Sequence, residues 1–132
     1  MTQEPRWVGR ALVEALHHDQ LKTYGGRYGV RDANLLESAL ARPQQKWAYE
    51  EGTDVFDLAA AYAYGIAKNH PFVDGNKRTA FAVMTLFLVL NGHPLQATEP
   101  DAIIVMLGVA SGDLGEAELA TWCRRHGNTT SE

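Results

Sequence analysis

The fold class this sequence predicts is all-α, a single bundle of about six helices, and three observations carry it. Apolar residues recur at i, i+3, i+4 along most of the chain, no stretch alternates as a strand does, and caps or turn residues punctuate the chain at helix-length intervals. With 132 residues and 45% hydrophobic content, the chain has the makings of one domain with its own core.

Trp7, Val8, Ala11, Leu12, Ala15 and Leu16 fall on one face of a first helix. Pro5 suits its opening turn, and Gly25-Gly26 stops it after Tyr24. Residues 26–31 read as a loop. Asp32 is a good N-cap for a second helix that buries Leu35, Leu36, Ala39 and Leu40 and ends at Pro43. Residues 44–52 then read as an irregular connector carrying Trp47 and Tyr49. A third helix runs from Thr53 or Asp54 through Ala59, Tyr62, Ala63 and Ile66 to Asn69. The fourth, from about Gly75 to Leu90, is apolar on nearly every face, which predicts a buried central helix. Asn91-Gly92 is its expected C-cap. Residues 99–111, behind Thr98 and Pro100, and residues 116–126, closed by Gly127, complete a domain over 1–127. The polar tail 128–132 is expected to be disordered.

Bulk properties exclude several classes of function. A formal net charge of -4 and a pI near 5.7 argue against a nucleic-acid binder, which normally shows a basic face. The longest apolar stretch, 79–90, falls short of the ~20 residues needed to span a bilayer. Cys123 is the only cysteine, so no intrachain disulfide forms, which fits a reducing cytoplasm. It reads as a small apolar residue on the last helix rather than a catalytic thiol. The N-terminus is polar and acidic, without a signal-peptide pattern. His17 and His18 are adjacent, cannot share a helix face, and are expected to be solvated.

The chemistry concentrates between the third and fourth helices, in His70-Pro71-Phe72-Val73-Asp74-Gly75-Asn76-Lys77-Arg78-Thr79-Ala80. Free N–H groups and the dipole at the start of a helix form an anion site. Gly75 allows close approach of an oxygen-rich ligand. Lys77 and Arg78 lie in the first helical turn, where cations oppose the dipole, an arrangement that makes sense with a polyanion between them. Asp74 suits magnesium, which takes one or two carboxylates plus phosphate oxygens and water. His70 supplies an imidazole, the side-chain type suited to accept a hydroxyl proton. Asn76 can pin either the loop or a phosphate, and Phe72 reads as a packing anchor. A Walker loop is excluded because Asn76 separates Gly75 from Lys77 and no glycine lies in 67–73. A zinc site lacks a second histidine or cysteine at ligand spacing.

Those eleven residues resemble the signature loop of the Fic/Doc family in its Doc-toxin form. The likeness extends to 21–26 (LKTYGG), 48–57 (AYEEGTDVFD) and 86–92 (LFLVLNG). The resemblance implies binding of ATP and Mg2+ at the loop. Fic proteins usually transfer AMP to a protein hydroxyl, with glycine where this chain has Lys77 and a second arginine where it has Phe81. Both departures match the Doc form, which implies transfer of the γ-phosphate to a threonine of elongation factor Tu and a halt in translation. The implied roles are His70 as general base, Asp74 as magnesium ligand, and Gly75 and Asn76 as backbone and amide donors. Lys77 and Arg78 neutralise phosphates, and Lys68 adds a charge.

Family members position their targets with a flap near the loop, for which residues 44–51 are the candidate, a plain helix connection being the equal alternative. No self-inhibitory Ser/Thr-xxx-Glu-Gly or Glu-Asn stretch is present, so restraint by a separate antitoxin is expected, through a segment folding into an apolar groove. Two other functions stay open: a Fic-type AMP transferase, and a non-catalytic module that binds nucleotide or antitoxin.

Overall fold

Capping chemistry decides where the helices begin. In the computed structural model, which describes residues 3–127, Asp32 accepts from the Leu35 N–H at the start of α2 (Ala33–Tyr49), following α1 (Arg10–Tyr24). Asp54 and Asp57 cap each other's backbone at the start of α3 (Val55–Asn69). Gly75 opens α4 (Asn76–Leu90), Thr98 caps α5 (Glu99–Ser111), and Gly115 precedes α6 (Glu116–His126). Among the described residues the only extended pairing is two isolated bridges, Val30 with Phe72 and Leu95 with Gly127. The fold is all-α, as expected.

The centre of the bundle is α3 rather than α4. Leu58 to Ala63 and Gly65 to Ala67 are all buried, and α2, α4, α5 and α6 pack around this helix. Its alanines and Gly65 make that possible: a Cβ at Gly65 would lie 3.3 Å from the Ala39 backbone of α2. Helix α4 buries Thr79, Ala80, Val83, Met84, Phe87 and Leu88 but leaves Val89 half exposed. Its apolar surround exceeds what its neighbours cover.

Two further boundaries differ from expectation. Helix α1 starts at Arg10, so Trp7 and Val8 belong to an extended lead-in segment. That segment is tied down: the Val8 N–H donates to the Tyr62 hydroxyl (2.9 Å), which donates to the Val8 carbonyl (3.1 Å). The buried stripe of α1 is Val13, His17 and Leu21, while Ala11, Leu12 and Ala15 face solvent. Alanines fit either face, so the periodicity could be placed in the wrong register.

Pro43 does not end α2; the helix passes through it to Tyr49. An interior proline costs about 3 kcal/mol, here offset by burial of Pro43 itself and by Trp47 packing on the core. Residues 44–49 are therefore helix, not connector. Because α2 runs antiparallel to α3, with Asp32 beside Pro71 and Glu50 close to Asp54, this segment lies a helix length from the motif loop. That is ~20 Å for a 15-residue helix. Of the two equal readings of 44–51, a flap beside the loop does not fit this distance.

At this same far end α6 is stapled to α3, where Arg124 binds both Asp54 (Nε–Oδ2 3.0 Å) and Asp57 (Nη2–Oδ1 2.6 Å). Cys123 is sealed in the core with Sγ 3.5 Å from Met84 Sδ, and burial pushes its thiol up to about 12. No described helix is long and apolar enough to cross a membrane. Residues 128–132, expected to form a disordered tail, lie outside the described residues.

Candidate active site

Helix α3 ends at His70, the one described non-glycine residue with positive φ (φ 49°, ψ 56°). That conformation is costly for a side-chain-bearing residue, and Arg31 holds it. Its Nε donates to the His70 carbonyl (2.7 Å) and its Nη2 to the Asn69 carbonyl (2.9 Å). A guanidinium on the last carbonyls of a helix also suits the dipole. Pairing then continues outward: Arg31 N–H to Pro71 carbonyl (2.7 Å) and Val73 N–H to Gly29 carbonyl (3.0 Å). The segment 25–31, not 44–51, is what lies along the loop.

Asn76 closes the loop from the other side. Its Oδ1 accepts from the Phe72 N–H and its Nδ2 donates to the Phe72 carbonyl, both at 3.0 Å. The buried amide is spent on these two bonds, so Asn76 pins the loop and only its backbone N–H faces the helix entrance. Phe72 is 1% exposed and is the anchor its sequence suggested.

Beneath the turn sits His17, 5% exposed, with Nε2 2.8 Å from the Asp74 carbonyl and its ring stacked on Phe72 at 3.8 Å. A carbonyl only accepts, so Nε2 carries the proton. The expectation of a solvated His17 is wrong: its place on the Val13–His17–Leu21 stripe turns it inward, while His18 stays exposed beside Tyr28. Asp74 Oδ1 accepts from the Gly75 N–H (3.0 Å) and Oδ2 from the Arg27 N–H (3.2 Å), which fixes the carboxylate in its own turn.

The N-terminus of α4 opens into a cleft of about 680 Å³. Asp74, Gly75, Asn76, Lys77 and Arg78 line it together with Phe81 and Ala82 of α4, and α5 contributes Glu99, Ala102, Ile103 and Met106. No acidic residue occupies the first turn of α4. Lys77 is exposed, and Arg78 lies 4.5 Å over the Tyr24 ring, a cation–π contact that holds the guanidinium at the rim. The result is a positive helix end with two cations and a fixed carboxylate, faced by apolar side chains and Glu99 of α5.

The structure therefore brings Asp74, Gly75, Asn76, Lys77 and Arg78 together. His70 is exposed on the same loop but is not among the residues that line the cleft, and its imidazole has no hydrogen-bond partner among the described residues. Lys68 is not brought in; its Nζ points to the C-terminal end of α5, about 4.0 Å from where a Cβ on Gly112 would sit. A cation there complements the dipole of α5. Sequence reasoning missed His17, Arg31 and Tyr24. Only the i, i+4 spacing of His17 with Val13 and Leu21 offered a signal.

A family model described as the Fic/DOC family matches residues 7–88, which span α1 to α4 and the whole loop. The chain belongs to the Fic/DOC family. It is 37% identical to "Protein kinase doc" of Escherichia phage P1 over 120 residues, 91% of this chain and 94% of that one. It is 47% identical to "Toxin Doc" of Mycolicibacterium smegmatis over 78 residues, 56% of this chain and 58% of the relative. Helices α5 and α6 lie outside the Fic/DOC match, whereas the likeness to the phage relative covers 91% of this chain.

Asp74 fits a magnesium ion, because each carboxylate oxygen spends one lone pair on a backbone N–H and keeps another for a ligand. Among the described residues no three His, Cys, Asp or Glu side chains gather as a metal cage. A metal here would take its remaining ligands from phosphate and water, the magnesium habit.

Proposed function

We propose that this Fic/DOC protein is a Doc-type toxin that moves the γ-phosphate of ATP to a hydroxyl of a target protein. The observation that carries the reading is the end of α4: unpaired helix amides, Lys77, Arg78 and the fixed Asp74 converge on one open cleft. A triphosphate satisfies all of them at once. The name of the phage relative, a protein kinase, supports the same class of reaction.

The chain's own residues divide the work. His70 takes the proton from the target hydroxyl as its oxygen attacks the γ-phosphorus, while the bond from that phosphorus to the bridging oxygen breaks and ADP departs. Exposure of the imidazole suits a target arriving from outside. Lys77 and Arg78 neutralise phosphate charge, and the Gly75 turn leaves the backbone open to the anion. Lys68 has no part in this arrangement. Magnesium on Asp74, when bound, neutralises phosphate oxygens.

Phosphoryl rather than adenylyl transfer is favoured by two residues. Phe81 places an aromatic ring in the cleft wall where Fic-type AMP transferases carry a second arginine, and Lys77 replaces their glycine. The proposed target is a threonine of elongation factor Tu, with arrest of translation in the cytoplasm as the outcome. Restraint falls to a cognate antitoxin, consistent with the name "Toxin Doc" of the second relative. The exposed Ile103, Ile104 and Leu107 of α5 offer such a partner an apolar face.

Incubation with γ-labelled ATP and purified elongation factor Tu should label the factor, and His70→Ala should cut the rate by ~10² to 10⁴-fold. Label arriving from α-labelled ATP instead establishes AMP transfer. Binding of nucleotide with no transfer of either label supports the non-catalytic module and overturns the proposal.

A further inference from the structure

Two adjacent histidines of α1 meet opposite fates. His18 is exposed, its ring 4.6 Å from Tyr28. His17 is buried under the motif loop, although it contributes nothing to the cleft wall and lies 57 residues from Asp74 in sequence. Its Nε2–H reaches the Asp74 carbonyl at 2.8 Å, and its ring lies nearly parallel to Phe72, at an interplanar angle of 11°. A Cβ on Gly75 would come within 3.8 Å of His17 Cδ2, so the same ring also bears on the turn that starts α4.

A buried imidazole is a poor choice for filling space, because its polar nitrogen must find a partner. Leucine or phenylalanine would fit an apolar stripe between Val13 and Leu21 with no such demand. What the imidazole adds is one directed hydrogen bond to one carbonyl. That carbonyl belongs to Asp74, whose side chain is held, among the described residues, by two backbone amides, those of Gly75 and Arg27. With the peptide plane after Asp74 fixed by His17, the Gly75 N–H is aimed at Oδ1, and the carboxylate faces the cleft. Without it, the turn can rotate and take the carboxylate with it.

We infer that His17 is a positioning residue, which sets the direction of the Asp74 carboxylate through its hydrogen bond to the Asp74 carbonyl and so tunes magnesium and phosphate binding at the cleft. The link from carboxylate direction to magnesium rests on the function proposed above; the hydrogen bond does not. Outer partners of this kind typically change metal affinity by roughly 10- to 100-fold.

The test uses the full chain and three variants. His17→Phe keeps the stack on Phe72 and removes the donor; His17→Gln keeps a donor and loses the stack; His18→Gln is the neighbouring control. In ligand-free protein, hydrogen exchange at the Gly75 and Arg27 amides should accelerate in His17→Phe. It should remain near wild type in His17→Gln and in His18→Gln. Titration of Mg2+ at fixed ATP, read by calorimetry, should show a roughly 10- to 100-fold higher magnesium requirement in His17→Phe alone. A purely structural role predicts instead a lower melting temperature with unchanged magnesium response, and that result overturns the inference.

If His17→Phe does not fold, the wild type decides. Ring nitrogen NMR at neutral pH must show His17 protonated on Nε2, and an Nδ1–H tautomer overturns the inference, because no bond to the carbonyl then exists. Loosened loop amides with wild-type protein that binds neither ATP nor Mg2+ would uphold the hydrogen bond's role in the turn, but overturn its link to magnesium along with the proposed function. Normal magnesium-dependent binding with unchanged amides in His17→Phe overturns the inference and leaves the proposed function standing.

Discussion

Gly26 occupies a point with no room for a side chain. Its φ is +128°, and a Cβ there would lie 2.7 Å from Leu21 Cδ2 and 3.1 Å from Asp74 Oδ2. Gly25, at φ +85°, has open space around it. Gly25→Ala should therefore cost only the backbone penalty, about 1 kcal/mol. Gly26→Ala should cost ~2–3 kcal/mol, adding displacement of the Asp74 carboxylate to that penalty, and should weaken ATP binding as well. Urea unfolding of the two variants side by side, with calorimetry of each, checks the contrast. At this scale the sequence was eloquent about the loop, because His70, Asp74, Lys77 and Arg78 stand together in one short run. It was silent about their supports. Arg31, His17 and Tyr24 come from α1 and the segment after it, and nothing local marks an arginine that will bind two carbonyls nearly forty residues away.

Helix ends set the orientation of the site. Arg31 binds the last two carbonyls before Pro71 and thereby holds His70 left-handed. Arg31→Lys keeps a charge but lacks the fixed fork of donors. It should slow the proposed transfer at least tenfold while leaving the KM for ATP within a factor of about two, since residues of α4, and not Arg31, line the cleft; a stability loss near 1 kcal/mol accompanies it. On α5, Ile104 is 67% exposed and does not line the cleft of α4. Ile104→Asp should weaken neutralisation by a co-expressed antitoxin while purified activity stays intact, a difference readable by growth rescue against labelling of the target. Where helices start was legible from Asp32, Asp54 and Thr98, whose capping chemistry is local. Pro43 misled, because local chemistry prices a proline in isolation and tertiary burial outweighed it. The register of α1 misled for a related reason: Ala11 and Ala15 tolerate water, and the Tyr62 hydroxyl claims Val8 before any helix starts.

Across the whole molecule, stability depends on how well the two ends of α3 are held. The loop end is the cleft; the other is the Arg124 cluster with Asp54 and Asp57. Burial pushes the Asp54 carboxyl up, but the Arg124 hydrogen bonds, with help from Asp57, leave it below its usual value. A carboxyl depressed by folding stabilises the protein above its unfolded value, and that contribution is lost as pH falls through the lower folded value. Arg124→Met should thus cost up to about 1 kcal/mol at neutral pH. Its deficit should shrink as the medium is acidified below pH ~4, which paired denaturation curves at several pH values will show. That α6 closes on α3 was not readable in advance; sequence pattern identifies which helices exist, whereas their partners depend on side-chain volume, as the small residues of α3 demonstrate. One consequence of the sealed Cys123 is practical. Reagents that alkylate sulfur attack the thiolate, and a thiol raised to about 12 with no solvent exposure stays inert to them. A single cysteine introduced at Tyr49, 84% exposed at the far end of α2 from the cleft, would then be the sole point of attachment for a fluorophore or surface tether in the otherwise native chain.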